Sequence, residues 1–330
     1  MTPHTQMATL RQRLLCSLLL CMAATTAAAA GFPEKPIRLV VGFPPGGGAD
    51  WVARHTAQHL AQSLGASVIV DNKPGANGTL AAAEVARAPA DGHTLLLGVT
   101  ASQSISPVLM SKPPYDPLRD FTPITNIGFT PLVLVVNPRM PARTVGEFLQ
   151  YVSASKDPVA YGSAGTGNIT HMAAELFVQS TGATKLQHIP YKGSSQVISD
   201  LLGGHVSAYF DTLPSSLPHI QSGQLRALGV TSPERASAAP SIPTMQEAGV
   251  AHYQATTWFG VLAPPKLSPE LATRIQEALQ TSMGTPEARQ ALVKRGVEPV
   301  LNTPAQFQTE LEADLARWRD VTRKAKITLD

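Results

Sequence analysis

A glycine-rich stretch near the start of this sequence has the composition of an anion-binding loop without a catalytic side chain. The apolar run Ile37–Val41 leads into residues 42–48, and apolar residues then recur at helical spacing from 52 to 64. Successive glycines let backbone N–H groups point into one concavity, and the dipole of the following helix adds partial positive charge there. The stretch therefore predicts carboxylate or phosphate binding by Phe43, Pro45, Gly46 and Gly47, with Asp50 as a cap or pocket acceptor. A tight structural turn is the alternative, since glycine-rich strand-to-helix turns are common.

Two common kinds of nucleotide-binding loop are excluded by the residues around these glycines. A Walker A loop needs Gly-Lys-Ser/Thr after its second glycine, but Gly47 is followed by Gly48, Ala49 and Asp50. The dinucleotide pattern G-x-G-x-x-G fails as well, because Phe43 and two prolines follow Gly42. The loop therefore has no lysine that could reach a nucleotide phosphate.

A second stretch, 160–168, repeats the order of a short strand, a glycine-rich turn, a capping residue and a helix. A second helix N-terminus thus becomes available to an anion. The residues predicted to contact a ligand here are Ser163, Ala164, Gly165, Thr166, Gly167 and Asn168, followed by His171 on the helix.

Four further polar candidates lie in short loops that each follow a predicted strand: Asn77, Ser102, Lys192 and Asp211. Since α/β folds bind ligands at the carboxyl ends of their strands, these residues could share one edge of a sheet. Alone, each is more commonly part of an ordinary turn. Together they form a ring of short polar loops, which favours a binding site.

Serine hydrolase chemistry is the enzymatic alternative, with Ser163, His171 and Asp211 as a conceivable triad. The nucleophile elbow G-x-S-x-G is absent, because the residue two positions before Ser163 is Tyr161. The histidines form no H-E-x-x-H pattern, and the sequence contains no cysteine after residue 30. We therefore predict no catalytic residue, no metal site and no cofactor.

Residues 1–30 have the features of an export signal. Arg11 and Arg13 precede the apolar run 14–24, and alanines at 27–30 offer a cleavage site. Without these two arginines, the 26 basic residues fall to 24 against 23 acidic ones, a net charge of +1. No basic run indicates a nucleic-acid or membrane-surface partner. We expect a periplasmic protein whose length after cleavage suits two hydrophobic cores.

Strand-like runs alternate with helical patterns along the rest of the chain, which predicts an α/β fold with parallel sheets. Two segments, 124–136 and 256–265, could carry the chain between two lobes. The predicted lobes are 31–130 plus 257–330 and 131–256, with a ligand cleft between them. Near the C-terminus, Thr303 and Pro304 predict the start of a helix that packs through an apolar stripe.

Over nearly the whole chain after residue 30, the sequence resembles the Bug family, the periplasmic substrate-binding proteins of tripartite tricarboxylate transporters. The resemblance lies in segments 32–37, 42–50, 72–78, 90–96, 161–171, 190–193, 258–260 and 263–264. It implies a two-lobed type II periplasmic binding fold (a Venus flytrap) in which loops 43–48 and 163–168 close on a carboxylate. The chain departs from the family pattern at Asn168 (serine in the family), at His93 (tyrosine) and within 103–107.

This resemblance implies a solute receptor that binds a small organic anion and delivers it to membrane transporter subunits. A di- or tricarboxylate, an amino acid or an aromatic acid would each suit such a site. The alternatives are a sensor component without a dedicated permease and a secreted hydrolase that uses Ser163 and His171. We expect a monomer that binds no nucleic acid.

Overall fold

A computed structural model of the protein describes residues 31–328. The predicted export signal, 1–30, lies outside the described residues. Within residues 31–328, no helix has both the length and the apolar character that crossing a membrane requires.

Strands and helices alternate along the described chain, which confirms the predicted α/β class. The strands are β1 (Ile37–Val41), β2 (Val68–Asn72), β3 (Thr94–Val99), β4 (Thr122–Val136), β5 (Val159–Ser163), β6 (Leu186–Pro190), β7 (Ala208–Thr212), β8 (Arg226–Val230), β9 (Thr256–Ala263) and β10 (Glu298–Pro299). The helices are α1 (Gly48–Leu64), α2 (Thr79–Val85), α3 (Ser106–Leu109), α4 (Val145–Ala154), α5 (Ile169–Thr181), α6 (Ser194–Gly203), α7 (Leu213–Gln221), α8 (Pro269–Met283), α9 (Pro286–Lys294) and α10 (Pro304–Ala325). A 3-10 turn at Ala76–Gly78 and a π-helical turn at Ala101–Ile105 complete the list.

The sheet is mixed, whereas the sequence predicted parallel sheets. β1 pairs in parallel with β2 and β3, and β5 pairs in parallel with β6 and β7. The pairs β3–β9, β4–β9, β4–β7 and β4–β8 are antiparallel. The expectation of parallel sheets holds within β1–β3 and β5–β7 and is wrong at strands β4 and β9, which run against their neighbours.

Strand β4 connects the two halves of the molecule. Its first part, Thr122 to Pro131, pairs with β9, and its last part, Leu132 to Val136, pairs with β7 and β8. The predicted crossing segments 124–136 and 256–265 coincide with β4 and β9. The lobe limits, 31–130 plus 257–330 and 131–256, stay a proposal.

The directions of the strands place the two glycine-rich loops. β1 is parallel to β3, β3 is antiparallel to β9, and β9 is antiparallel to β4, so β1 and β4 run the same way. β5 is parallel to β7, which is antiparallel to β4, so β5 runs the opposite way. The carboxyl ends of β1 and β5 therefore both point toward the middle of β4, near Pro131 and Leu132.

The C-terminal helix packs against both halves of the molecule. Its predicted start is confirmed: Thr303 Oγ1 accepts from the Gln306 N–H, the Thr303 N–H donates back to Gln306 Oε1, and Pro304 is the first helical residue. Phe307 and Leu311 join a buried cluster with α2 and β3, and further along the helix Trp318 and Val321 join a cluster with α5 and β7.

Candidate ligand-binding site

The first loop, residues 43–48, leaves a helix N-terminus open to solvent. Helix α1 begins at Gly48 after Gly47, which has extended backbone angles (φ −82°, ψ 175°) and no side-chain cap. The N–H groups of Gly48, Ala49 and Asp50 lie in the first turn, where no carbonyl of the helix can accept from them. Residues 44–48 are exposed. The loop therefore offers unpaired backbone donors together with the positive end of the helix dipole.

Asp50 is neither the cap of α1 nor an open acceptor, which corrects the expectation from the sequence. Its side chain is buried, with the residue 3% exposed. Oδ2 accepts hydrogen bonds from the Gly46 N–H at 2.9 Å and from Arg54 Nε at 3.0 Å, and Oδ1 accepts from Asn72 Nδ2 at 2.9 Å. These partners, Arg54 above all, lower the pKa of Asp50 to about 2. Asp50 thus holds the backbone of the first loop in place through Gly46 and Asn72.

Acid titration should reveal this role of Asp50. Its pKa in the folded protein lies below the ordinary value of 3.8, so it stabilises the fold fully above pH 3.8. That contribution is lost as the pH falls from 3.8 through about 2. We expect Asp50→Asn to lower Tm at pH 7, and we expect the Tm difference from wild type to shrink between pH 4 and pH 2. The exposed Asp157→Asn is the control, and an equal Tm loss in both variants at pH 7 would contradict the assignment.

Several predicted residues of the first half meet beside this loop. Asn72 Nδ2 also donates to the Phe43 carbonyl at 3.0 Å. A Cβ placed on Gly78 would lie 3.2 Å from Phe43 Cε2 and 3.3 Å from Ser102 Cβ, so these residues are in contact. Asn77 precedes Gly78 in the 3-10 turn with left-handed backbone angles (φ 54°). The structure therefore brings Phe43, Asn77 and Ser102 to the same edge of the sheet.

The second loop, residues 163–168, differs from the first because side chains of the loop and of α5 accept hydrogen bonds from three of its N–H groups. Asn168 caps α5 as predicted, and its Oδ1 accepts from the Thr170 N–H at 3.1 Å. The Ala164 N–H donates to Thr170 Oγ1 at 2.9 Å, and the Gly167 N–H donates to His171 Nδ1 at 3.1 Å. The loop keeps an exposed Thr166 at its tip.

The conceivable triad of Ser163, His171 and Asp211 does not assemble. Ser163 is 0% exposed, and its Oγ lies 2.6 Å from Nε2 of His188, not of His171. Both oxygens of Asp211 accept hydrogen bonds from serines, Oδ1 from Ser194 at 3.1 Å and Oδ2 from Ser216 at 2.7 Å. His171 instead stacks on His188, with ring centroids 3.8 Å apart.

His188 is a residue that the sequence reasoning missed. It lies on β6, whose parallel pairing with β5 places His188 opposite Tyr161 and next to Ser163. The alternating runs of the sequence predict strands here, but they do not give the register of β6 against β5. That register is set by packing between distant segments, so no local pattern contains it.

Asp211 and Lys192 occupy contrasting environments at the edge of the second half. Asp211 is fully buried, and burial raises its pKa despite hydrogen bonds from neighbouring hydroxyl groups. Lys192 is exposed. Asp211 therefore holds Ser194 and Ser216 in place, whereas Lys192 is the predicted residue on this side that offers a positive charge to solvent.

The described residues contain no group of three or more histidine, cysteine, aspartate or glutamate side chains that could hold a metal ion. His55 and His59 do lie one turn apart on α1, a spacing that the prediction of no metal site overlooked. Their rings meet edge to face at 4.6 Å, and burial lowers the pKa of both.

Comparison with known proteins identifies the family. The model of the tripartite tricarboxylate transporter family receptor matches residues 52–327. The chain belongs to this family. It is 36% identical to protein BugT of Bordetella pertussis over 294 residues, which are 89% of this chain and 90% of BugT. The predicted resemblance to the Bug family of tripartite tricarboxylate transporter receptors is thus confirmed.

Two solved structures share the fold. A protein of R. palustris solved with adipate is 34% identical, with a TM-score of 0.79, and the match covers 90% of this chain and 99% of that one. The periplasmic binding protein BugD is 31% identical, with a TM-score of 0.75 and coverage of 90% and 99%. The predicted two-lobed periplasmic binding fold is therefore confirmed.

Proposed function

We propose that this receptor binds a small dicarboxylate between the first and second loops in the periplasm and delivers it to the membrane subunits of a transporter of the tripartite tricarboxylate type. The N-terminus of α1 carries the proposal, because it has no side-chain cap and its first residue, Gly48, is exposed, which suits one carboxylate. The adipate in the R. palustris relative is a dicarboxylate. Residues 1–30 would direct export.

The free energy of binding requires that both loops contact the ligand. A micromolar dissociation constant corresponds to about −8 kcal/mol. A helix N-terminus gives an anion at most about 2 kcal/mol, and a hydrogen bond to a charged group about 1.5 to 3 kcal/mol. Immobilising the ligand costs free energy as well. We therefore propose that segment 31–130 plus 257–330 and segment 131–256 close on the ligand, which brings Thr166 and Lys192 toward the first loop.

The charges around the loops favour a dianion over an amino acid. Asp50 and Asp211 are both buried, and their oxygens already accept hydrogen bonds from the protein. An ammonium group would therefore find neither carboxylate open to it. Arg54 offsets the charge of Asp50, its ion-pair partner, and Lys192 adds an exposed positive charge on the side of the second loop. A second carboxylate on the ligand suits this balance better than an amine does.

Titration calorimetry with a small panel tests the proposal. The panel contains adipate, succinate and malate as dicarboxylates, glutamate as an amino acid, and adipamide as the neutral analogue of adipate. We expect at least one dicarboxylate to bind in the micromolar range, glutamate to bind at least tenfold more weakly, and adipamide to show no heat of binding. Equal affinity for adipate and adipamide, or no binding of any dicarboxylate, would contradict the proposal.

A further inference from the structure

Three aromatic rings stack beneath the second loop. Tyr161 stacks on His188 with ring centroids 5.2 Å apart, and His188 stacks on His171 at 3.8 Å with an angle of 9° between the planes. Tyr161 is on β5, His188 on β6 and His171 on α5, so the stack joins three elements. Tyr161 and His171 are almost completely buried.

Two N–H groups of the second loop are hydrogen-bonded to this stack, one directly and one through Ser163. The Gly167 N–H donates to His171 Nδ1 at 3.1 Å. The Gly165 N–H donates to Ser163 Oγ at 3.2 Å, and the same oxygen lies 2.6 Å from His188 Nε2. Ser163 Oγ also lies 3.2 Å from the Gly165 carbonyl oxygen, and a hydrogen bond joins Ser163 to His188 whichever of the two is the donor. His188 thus reaches the loop by two routes, through Ser163 and through the ring of His171.

The surroundings of His188 keep its ring neutral. Burial first, and then His171, lower the pKa of His188 to about 4, so its ring is neutral at pH 7. Glu175 is the carboxylate beside the stack: its Oε1 accepts from the Tyr161 hydroxyl at 2.6 Å and lies 3.6 Å from His171 Nε2. A neutral His188 can therefore pack flat against His171 without repulsion between two cations.

From this geometry we propose that His188 is a positioning residue for ligand binding, which holds the second loop in its binding shape through Ser163 and His171 without touching the ligand. The role follows from the two hydrogen bonds that fix Gly165 and Gly167 on either side of Thr166, the exposed tip of the loop. The effect on affinity rests on the proposed function. The effect on the loop does not.

The first test measures the loop without ligand. Amide hydrogen exchange is followed by mass spectrometry in purified wild type and in His188→Leu, which removes the ring and its hydrogen-bonding nitrogens. We expect exchange to accelerate at least threefold in peptides that cover 163–168 and to stay unchanged in peptides from α10. Unchanged exchange at 163–168 would overturn the proposal even if no ligand were found, so this arm is independent of the proposed function.

The second test measures adipate affinity by calorimetry. We expect His188→Leu and Ser163→Ala each to weaken binding roughly 3- to 10-fold, the size expected for one hydrogen bond. The double variant should weaken it no more than His188→Leu alone, because the leucine already breaks the link through Ser163. His188→Gln keeps a donor and an acceptor for Ser163 but not the ring that stacks on His171, so it should bind adipate more tightly than His188→Leu does. Additive losses, or no recovery in His188→Gln, would overturn the proposal.

A control separates positioning from general stability. His205→Leu replaces an exposed histidine in the same half of the molecule. We expect it to leave both adipate affinity and loop exchange at wild-type values. A loss of affinity in His205→Leu as large as in His188→Leu would show that the effect is not specific to the stack and would count against the proposal.

Discussion

Gly48→Pro should weaken dicarboxylate binding roughly 10- to 100-fold while the protein stays folded, because it deletes one backbone donor of the first loop. Gly48 is the first residue of α1, the position at which helices accept proline best. Gly47 before it is extended (φ −82°, ψ 175°), the conformation that a following proline requires. The substitution therefore removes an N–H that has no partner in the helix and costs little in folding.

The matched control for this prediction is Gly48→Ala, which keeps the N–H. A Cβ at Gly48 would meet no atom within 4 Å, so the alanine fits without strain. Calorimetry should give wild-type affinity for Gly48→Ala and a loss confined to Gly48→Pro, with Tm within about 3 °C of wild type in both. Wild-type affinity in Gly48→Pro would mean that the N-terminus of α1 does not hold the ligand.

Gly42→Ala should lower the free energy of unfolding by about 1 to 3 kcal/mol, the usual cost of overpacking a buried site. A Cβ at Gly42 would lie 2.4 Å from Gly78 Cα and 2.9 Å from the Gly78 carbonyl oxygen. Both are backbone atoms, so no side chain can swing away. The 3-10 turn with Asn77 must move instead, which also disturbs the contact of Gly78 with Phe43. Tm and urea denaturation measure the loss.

Gly47→Ala is the comparison for Gly42→Ala within the same loop. Its Cβ would have only the Pro44 carbonyl oxygen as a neighbour, at 3.8 Å, and its φ of −82° suits any residue. We expect a change in the free energy of unfolding within about 0.5 kcal/mol. If Gly42→Ala proved as stable as Gly47→Ala, the close approach of Gly42 to Gly78 would not constrain the fold.

The sequence alone predicted features that depend on neighbouring residues. The strand Ile37–Val41, the cap at Asn168 and the start of the C-terminal helix at Thr303 all lie where the sequence placed them. Each rests on periodicity or on a hydrogen bond within one helical turn, so a short window of sequence contains the cause. The family was recognisable for a related reason, since its motifs keep their order and spacing along the chain.

Other features needed partners that are distant in the sequence. Asp50 is held by Asn72 as well as by Arg54, and Ser163 meets His188 and not His171. The antiparallel pairing of β3 with β9 joins segments more than 150 residues apart. These contacts depend on which strands become neighbours and in what register, and packing of the whole chain decides that.

The two loops show both kinds of feature together. From the sequence, each is a glycine-rich turn before a helix, and each was expected to offer backbone N–H groups to an anion. In the tertiary structure no side chain caps the N-terminus of α1 after the first loop, whereas the Gly167 N–H of the second loop donates to His171. A glycine-rich sequence permits a loop to present its donors, but the side chains packed around that loop decide which donors stay free for a ligand.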